Sequence, residues 1–441
     1  MISRLLRRRW FPGIVQYSLL GVCLALLFFS WIPDVPRTLV ESRFLQFTNL
    51  TNFLTWVIFK PGLVVVLSVL LGSVWCMVCP ARAVHDLFHR VSLGLEYPAA
   101  LRNLSILLAL FFLHRVVMLH YDLHHDPFNT GLYILALLIL PAAYGLLFSE
   151  NLYCRRVCPM RLLIGLFSLC SPVRYGVKDA ATCRACEPKP CRASCPNRLD
   201  PVKPEPGRYC LLCVECLKGC PKDNLGFRLE PALKGLLSGE KWTAGEVVFL
   251  AMLLGIAMDN ALQGSSWAGR LSKPGTLVAS TLPQGSFLRT VVRGLWSYLA
   301  LPGAILALPW LLRKAIGRAG GFLKEAGETS RFFIPVAFAG MFCAAFDKAS
   351  LYLSYWPRLA ADPFGQESAR AIAAGLAPLP SPLLTPSIRA AVTLAVIALA
   401  FLGAAYVLYK EAKDSGVGNA WSLPTGAALA IPTMIYTLRF L

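Results

Sequence analysis

Eight cysteines between positions 183 and 220 form the densest group of metal-ligand side chains in the chain. They fall into two runs, and each run ends in Cys-Pro after a three-residue gap. The runs are Cys183-x2-Cys186-x4-Cys191-x3-Cys195-Pro196 and Cys210-x2-Cys213-x2-Cys216-x3-Cys220-Pro221. Three closely spaced thiolates followed by Cys-Pro are typical of a [4Fe–4S] site, and in two-cluster proteins the last cysteine of each run binds the other cluster. The spacing therefore predicts two [4Fe–4S] clusters with exchanged fourth ligands.

This exchange divides the cysteines into two predicted ligand sets. The first set is Cys183, Cys186, Cys191 and Cys220, and the second set is Cys210, Cys213, Cys216 and Cys195. In the first run, four residues (187–190) separate Cys186 from Cys191, whereas two residues separate Cys213 from Cys216 in the second run. We expect the longer loop to change the hydrogen bonding to sulfur and so the reduction potential of the cluster. Zinc and disulfides are the alternatives, but the Cys-Pro endings and the lack of a secreted-domain context disfavour them.

The composition is that of a membrane protein. Of the 441 residues, 56% are hydrophobic and 15% are charged, whereas a soluble domain has about a quarter charged residues. The net charge is +19, but the basic residues flank apolar runs, which indicates control of membrane topology rather than nucleic-acid binding. Closely spaced reduced thiols place the cysteine segment in the cytoplasm. We therefore expect a bacterial inner-membrane protein whose N-terminus and cysteine segment are cytoplasmic.

Apolar runs predict eight or nine transmembrane helices. Eight runs reach or approach the roughly 20 residues that cross a bilayer, and the short ninth contains Pro432. The runs cover about residues 14–32, 62–78, 104–119, 132–148, 246–263, 289–312, 331–356, 389–409 and 425–438. The predicted fold class is an all-α polytopic membrane protein with an inserted small α+β ferredoxin domain of the bacterial two-cluster type. The predicted domains are a four-helix membrane domain (1–170), the cluster domain (171–243) and a C-terminal membrane domain (244–441).

Two predicted spans end in a cysteine pair followed by proline. The pairs are Cys76 with Cys79, and Cys154 with Cys158. If the two helix hairpins pack side by side, the four thiols meet and could bind a third iron–sulfur cluster or a single metal, or act as redox-active dithiols. The alternative is that they are ordinary buried cysteines at helix ends.

The cysteine-pair motifs and the two-run segment together resemble the NosR/NapH family of membrane polyferredoxins. The chain is also similar to the accessory protein that reduces copper for cytochrome c oxidase assembly. The family motif is Cys-x3-Cys-Pro, which Cys154 to Pro159 carries, whereas Cys76 to Pro80 is one residue shorter. The resemblance covers about residues 14–225 and implies electron transfer between a membrane donor, quinol, and a protein redox partner.

Ionisable residues inside apolar runs are candidates for a quinol or proton site. Asp259, Asp347 and Lys348 lie at predicted membrane depth, where a charged side chain is costly and by default suggests function. Structural ion pairing is the alternative. A further candidate for metal binding or proton relay contains His120, His124 and His125, although a solvated loop is the simpler interpretation.

The sequence thus predicts a membrane iron–sulfur protein that carries electrons between the quinone pool and a redox partner. One alternative is a copper reductase or other cofactor-assembly factor, and another is a non-catalytic anchor or redox-sensing subunit of a larger complex. Whether the chain is itself an enzyme stays open, with an electron-transfer subunit of a quinol-linked oxidoreductase favoured. The expected partners are lipid, quinone and protein, not nucleic acid.

Overall fold

The structure is a computed structural model that describes residues 6–8, 10–31, 38, 41–148, 152–200, 207–237, 242–262, 274–317, 319–414 and 419–437. The protein is a helical polytopic membrane protein. Seven helices in the described residues are long and apolar enough to cross a bilayer. They are Gly13–Ser30, Leu50–Leu71, Pro127–Leu147, Ala244–Ala261, Phe287–Ala315, Phe322–Ala361 and Pro386–Asp414.

The other predicted spans form shorter or less apolar helices. Ser105–His120 is apolar but only 16 residues long. Asn419–Thr437 stays helical through Pro424 and Pro432. The second span begins earlier than predicted, at Leu50 rather than at about residue 62. The reason is that the backbone at Phe53–Leu63 is π-helical, which accommodates Pro61 without ending the helix.

The described chain divides into two compact units. The first contains residues 1–107, 123–240 and 357–378, and the second contains 108–122, 241–356 and 379–441. The eight cysteines of the two runs and both cysteine pairs belong to the first unit. The three-domain division predicted above stays a prediction.

The first unit also contains short helices and turns, several of which carry cysteines. They include Val74–Val78, Pro80–His89, Pro159–Ser168, Ala180–Arg184, Pro190–Ala193, Glu215–Lys218 and Gln366–Ala373, with a π-helical turn at Tyr153–Val157 and 3₁₀ turns at Ala99–Leu101, Gly207–Tyr209 and Lys234–Leu237. The helix Pro80–His89 packs against Pro127–Leu147, where a side chain at Gly145 would come within 2.5 Å of the His85 carbonyl oxygen. This close approach fixes the orientation of Pro80–His89.

In the sequence, the two cysteine runs lie between two strands that pair with each other. Strands β1 (Val173–Val177) and β2 (Leu225–Leu229) are antiparallel, with Tyr175 opposite Phe227, and they form the one sheet in the described residues. The Asn224 side chain accepts a hydrogen bond from the backbone N–H of Asp179 at 2.8 Å. Asp179 caps the helix that carries Cys183 by accepting from Ala181 and Thr182. The strand pair therefore brings the start of the first run to the end of the second.

In the second unit, Ala244–Leu262 packs against Ile334–Tyr352, which packs in turn against Pro386–Asp414. The remaining elements of this unit are Phe287–Leu295, the π-helical turn Trp296–Ala300, Leu301–Ala315, Phe322–Ser330, and 3₁₀ turns at Arg331–Phe333 and Leu353–Tyr355. Two ion pairs tie these helices together: Arg313 with Glu325 at 2.6 Å, and Arg331 with Glu411 at 2.7 Å.

Candidate metal centres

The second ligand set surrounds a small cavity. Its four cysteines line the cavity together with Tyr175 of β1, and they are Cys195, Cys210, Cys213 and Cys216. Burial raises the pKa of the Cys210 and Cys216 thiols to about 12, and repulsion from the other thiols of the set contributes. A bound metal ion favours the deprotonated thiol and removes this penalty. Three cysteines of the second run and the last cysteine of the first run thus line the same cavity.

The first ligand set is gathered in the same crossed manner. Burial raises the pKa of the Cys183 and Cys191 thiols, and both lie close enough to Cys220 and Cys186 for their charges to interact. Cys220 comes from the second run and lies near Cys183 and Cys191, as an exchanged fourth ligand would. The donor set at both centres is therefore four thiols in proximity, which fits a [4Fe–4S] cube.

The backbone around the sulfurs is shaped for a negatively charged group. The N–H of Leu212 points at the Cys210 sulfur and the N–H of Asn224 at the Cys220 sulfur, each at 3.4 Å. Leu212 and Val214 have positive φ angles of 47° and 59°, a conformation that costs free energy for branched residues. Left-handed residues of this kind occur in backbone turns that present N–H groups to an anion.

The longer loop of the first run brings a cation to the first set. Lys189 lies within this loop, 3.7 Å from the buried carboxylate of Asp200. Its charge lowers the pKa of the Cys183 thiol, against the larger effect of burial, which raises it. A cation near the sulfur ligands would stabilise the more negative, reduced form of a cluster. The loop length noted in the sequence therefore has an electrostatic consequence.

We expect Lys189→Glu to lower the reduction potential of the first cluster by about 50 mV, close to a tenfold change in a one-electron equilibrium. A redox titration followed by EPR measures the shift. Lys178→Glu is the control, because Lys178 is exposed and pairs with Asp223 outside both sets. Equal shifts in both variants would contradict a specific role for Lys189.

The two cysteine pairs meet in the first unit. Each pair comes directly before a helix: Cys79 precedes Pro80–His89, and Cys158 precedes Pro159–Ser168. The backbone N–H groups of the first turn donate to each of these two sulfurs. Burial raises the pKa of the Cys76 thiol well above its usual value, and repulsion from the other three thiols adds to it. We call Cys76, Cys79, Cys154 and Cys158 the four-thiol site.

Two buried arginines accompany the four-thiol site. Arg82 and Arg161 stand three residues after Cys79 and Cys158, so both motifs read Cys-Pro-x-Arg. Their side chains are about 6% and 5% exposed, and neither Arg82 Nη1 nor Arg161 Nε has a hydrogen-bond partner. Arg161 interacts electrostatically with Cys76, and Arg82 interacts with Cys154. Buried cations require negative partners, and a metal held by four thiolates is such a partner.

The arginines also reach the second ligand set. Arg82 makes a hydrogen bond with the Cys213 sulfur, and the charge of Arg161 acts on Cys210. Arg161 stacks on the Tyr209 ring at 4.6 Å, which holds the residue before Cys210. The four-thiol site and the second ligand set are therefore neighbours within the first unit.

The candidate proton residues belong to the second unit. Asp259 accepts hydrogen bonds from Arg115 at 3.2 Å and from the Tyr298 hydroxyl at 3.1 Å. Arg115 also contacts Tyr298 at 3.3 Å, which closes a triangle. Lys348 lies close enough to Arg115 for the two cations to interact. Asp347 accepts from the Ser350 hydroxyl through its backbone carbonyl.

The histidines divide between the units. His120 lies in the second unit, where its Nδ1 is 3.2 Å from the Thr290 hydroxyl. His124 and His125 lie in the first, with ring centroids 3.8 Å apart, and His124 packs on Trp56. A second histidine pair was not singled out as a site from the sequence: His85 is fully buried and stacks on His89 at 5.5 Å.

Comparison with known proteins gives a weak match to one uncharacterized protein of the archaeon Methanocaldococcus jannaschii. The two chains are 28% identical over 187 residues, which is 38% of this chain and 77% of that protein. No protein-family model matches the chain. No solved structure matches it either.

Proposed function

We propose that this protein is a membrane-bound electron carrier that moves electrons between the quinone pool and a protein redox partner through two [4Fe–4S] clusters. The observation that carries the proposal is the gathering of eight cysteines into two crossed sets of four. The Cys-Pro endings after a three-residue gap favour iron–sulfur clusters over zinc at these sites. The clusters supply one-electron chemistry, and the protein supplies sulfur ligands, N–H donors and nearby cations.

The membrane location supports a quinone as the lipid-soluble partner. Seven spanning helices place the protein in a bilayer, and the cysteines belong to the same compact unit as three of these helices. The reduced thiols and the basic residues near the N-terminus favour the cytoplasmic face of a bacterial inner membrane. The resemblance to the NosR/NapH family agrees with this assignment.

The decisive experiment is low-temperature EPR of anaerobically purified protein. We expect dithionite to produce the signals of two reduced clusters, and a quinol analogue to reduce at least one of them. Protein that shows no cluster signal with dithionite would refute the proposal. Protein whose clusters respond to dithionite but not to quinol, and that co-purifies with partners, would favour the anchoring or sensing role.

The four-thiol site favours a second candidate function, the reduction or handling of a soft metal ion. Thiolates select Cu(I), Zn²⁺ and iron–sulfur clusters, and the buried arginines offset the negative charge of a four-thiolate centre. The same geometry suits a third redox centre next to the second cluster. In either case the site binds metal independently of the two runs.

We expect Cys76→Ser/Cys154→Ser to lose one metal centre while both EPR signals of the two runs persist. Two of four ligands are removed, and the affinity of a thiolate site depends on each of them. Metal analysis and Cu(I) titration measure the loss. Cys170→Ser is the matched control, since Cys170 is a buried thiol of the same unit that belongs to no set. Unchanged metal content in the double variant would contradict a metal centre at the four-thiol site.

A further inference from the structure

A groove in the first unit lies between the start of the first spanning helix and the helices Pro80–His89 and Glu215–Lys218. It encloses about 730 Å³ and is open on one side. We call it the interfacial groove, and its lining includes Trp10, Ile14, Tyr17, Arg82, Asp86 and Glu215. Its volume is in the range of small-ligand sites, roughly 300–1,000 Å³. None of the candidate residues named from the sequence lines it.

One wall of the groove is the N-terminal end of the first spanning helix. Ile14 and Tyr17 on this wall are 57% and 45% exposed. The exposed side of Gly13–Ser30 continues as an apolar surface through Val22 and Leu24. A ligand with an apolar tail can therefore enter the groove from lipid and leave its tail along this helix. Trp10 and Tyr17 offer aromatic faces to a planar ring.

The opposite wall carries charged groups suited to quinone oxygens. Arg82 is 6% exposed, and its Nη1 has no hydrogen-bond partner. Asp86 is held by Arg82 at 3.3 Å and by His85 at 3.2 Å. The carboxylate can accept a hydrogen bond from a hydroxyl group, and Arg82 can donate one to a carbonyl oxygen.

The groove also adjoins the proposed electron acceptor. Arg82 makes a hydrogen bond with the Cys213 sulfur. Glu215, on the groove wall, directly precedes Cys216. A planar redox ligand in the groove would therefore be separated from the second ligand set only by side chains such as those of Arg82 and Glu215. Cys154 of the four-thiol site also interacts electrostatically with Arg82.

From these observations we infer that the interfacial groove is the quinone site, with Arg82 and Asp86 binding the two oxygens of the ring. The inference rests on the proposed function, since the second cluster is the electron acceptor. Quinol would give up its two electrons one at a time to that cluster, which would pass the first electron on to the protein redox partner before it accepts the second. Its two O–H bonds break, two C=O bonds form, and the two protons pass to water at the open side of the groove.

The test combines photolabelling with groove variants. We expect an azidoquinone to crosslink to peptides that contain residues 10–18 or 82–90. We expect Ile14→Trp, which fills the groove with a residue common at membrane interfaces, to slow the reduction of the clusters by decylubiquinol at least tenfold. Asp86→Asn should slow it as well. In all variants dithionite should still reduce both clusters.

Ile139→Trp is the matched control, because Ile139 is exposed on the spanning helix Pro127–Leu147 of the same unit and does not line the groove. Its rate of quinol-dependent reduction should equal that of the wild type. Crosslinks confined to other peptides, normal quinol rates in Ile14→Trp, or wild-type clusters that respond to dithionite but not to quinol would overturn the inference. Loss of cluster signals from the wild type would instead refute the proposed function, and the crosslinks alone would then decide the groove.

Discussion

Cys220→Ser is expected to remove the cluster held by Cys183, although Cys220 lies in the run that holds the other cluster. The reason is the crossed geometry, in which the charge of Cys220 acts on Cys183 and Cys191 rather than on Cys210. A cube that loses one of four thiolates is destabilised, so iron should fall by about half. EPR of the reduced protein should show the same missing signal in Cys220→Ser and Cys183→Ser.

The reciprocal pair completes this test. Cys195→Ser should match Cys213→Ser, because Cys195 lines the cavity of the second set. Cys170→Ser, outside both sets, should retain both signals. If Cys220→Ser instead lost the signal lost by Cys213→Ser, each run would hold its own cluster, and the crossed assignment would be wrong.

The second large effect concerns the polar triangle of the second unit. Asp259→Leu is expected to destabilise the protein by about 3–5 kcal/mol, the usual cost of leaving a buried charge without its partner. Arg115 is 7% exposed. Its guanidinium group stays protonated, so without Asp259 it remains a buried charge that has lost its carboxylate partner. Arg115→Met should cost less, because the Asp259 side chain left behind is 36% exposed and still accepts a hydrogen bond from Tyr298. Thermal unfolding in detergent measures the difference.

The double variant Arg115→Met/Asp259→Leu should recover most of the loss, since it removes both charges. Leu113→Met is the control on the same helix, where Leu113 is exposed and its replacement should be near neutral. Asp259→Asn separates structure from chemistry: we expect its quinol-dependent cluster reduction to be normal. A selective loss of that activity in a stable Asp259→Asn protein would place the quinol chemistry at Asp259.

The cysteine sets were proposed from sequence because metal-ligand spacing is local, and their assignment to two clusters stays a prediction. Each run places three sulfurs within one short loop, and the Cys-Pro endings indicate the exchange. The positions of the long spans were predictable for a similar reason, since each apolar run contains its own signal. The start of the span at Leu50 was missed because Pro61 and Gly62 suggest a break, whereas a π-helical backbone continues through them.

The partners of the buried charges were not predicted. Arg115 and Asp259 are 144 residues apart in sequence, and no local pattern relates them. Arg82 and Arg161 had a readable signal, the repeated Cys-Pro-x-Arg, but their burial beside thiols depends on how the helix ends pack. The interfacial groove had none, because it forms from three separate segments of the first unit.

The central claim is tested most directly by measuring iron and acid-labile sulfide in protein purified without oxygen, together with its Mössbauer spectrum. Two cubes require about eight iron atoms and about eight sulfides per chain, with the spectrum of [4Fe–4S] centres, and more iron if the four-thiol site also holds a cluster. Protein with essentially no iron or sulfide, or with zinc in the same sites, would contradict the account.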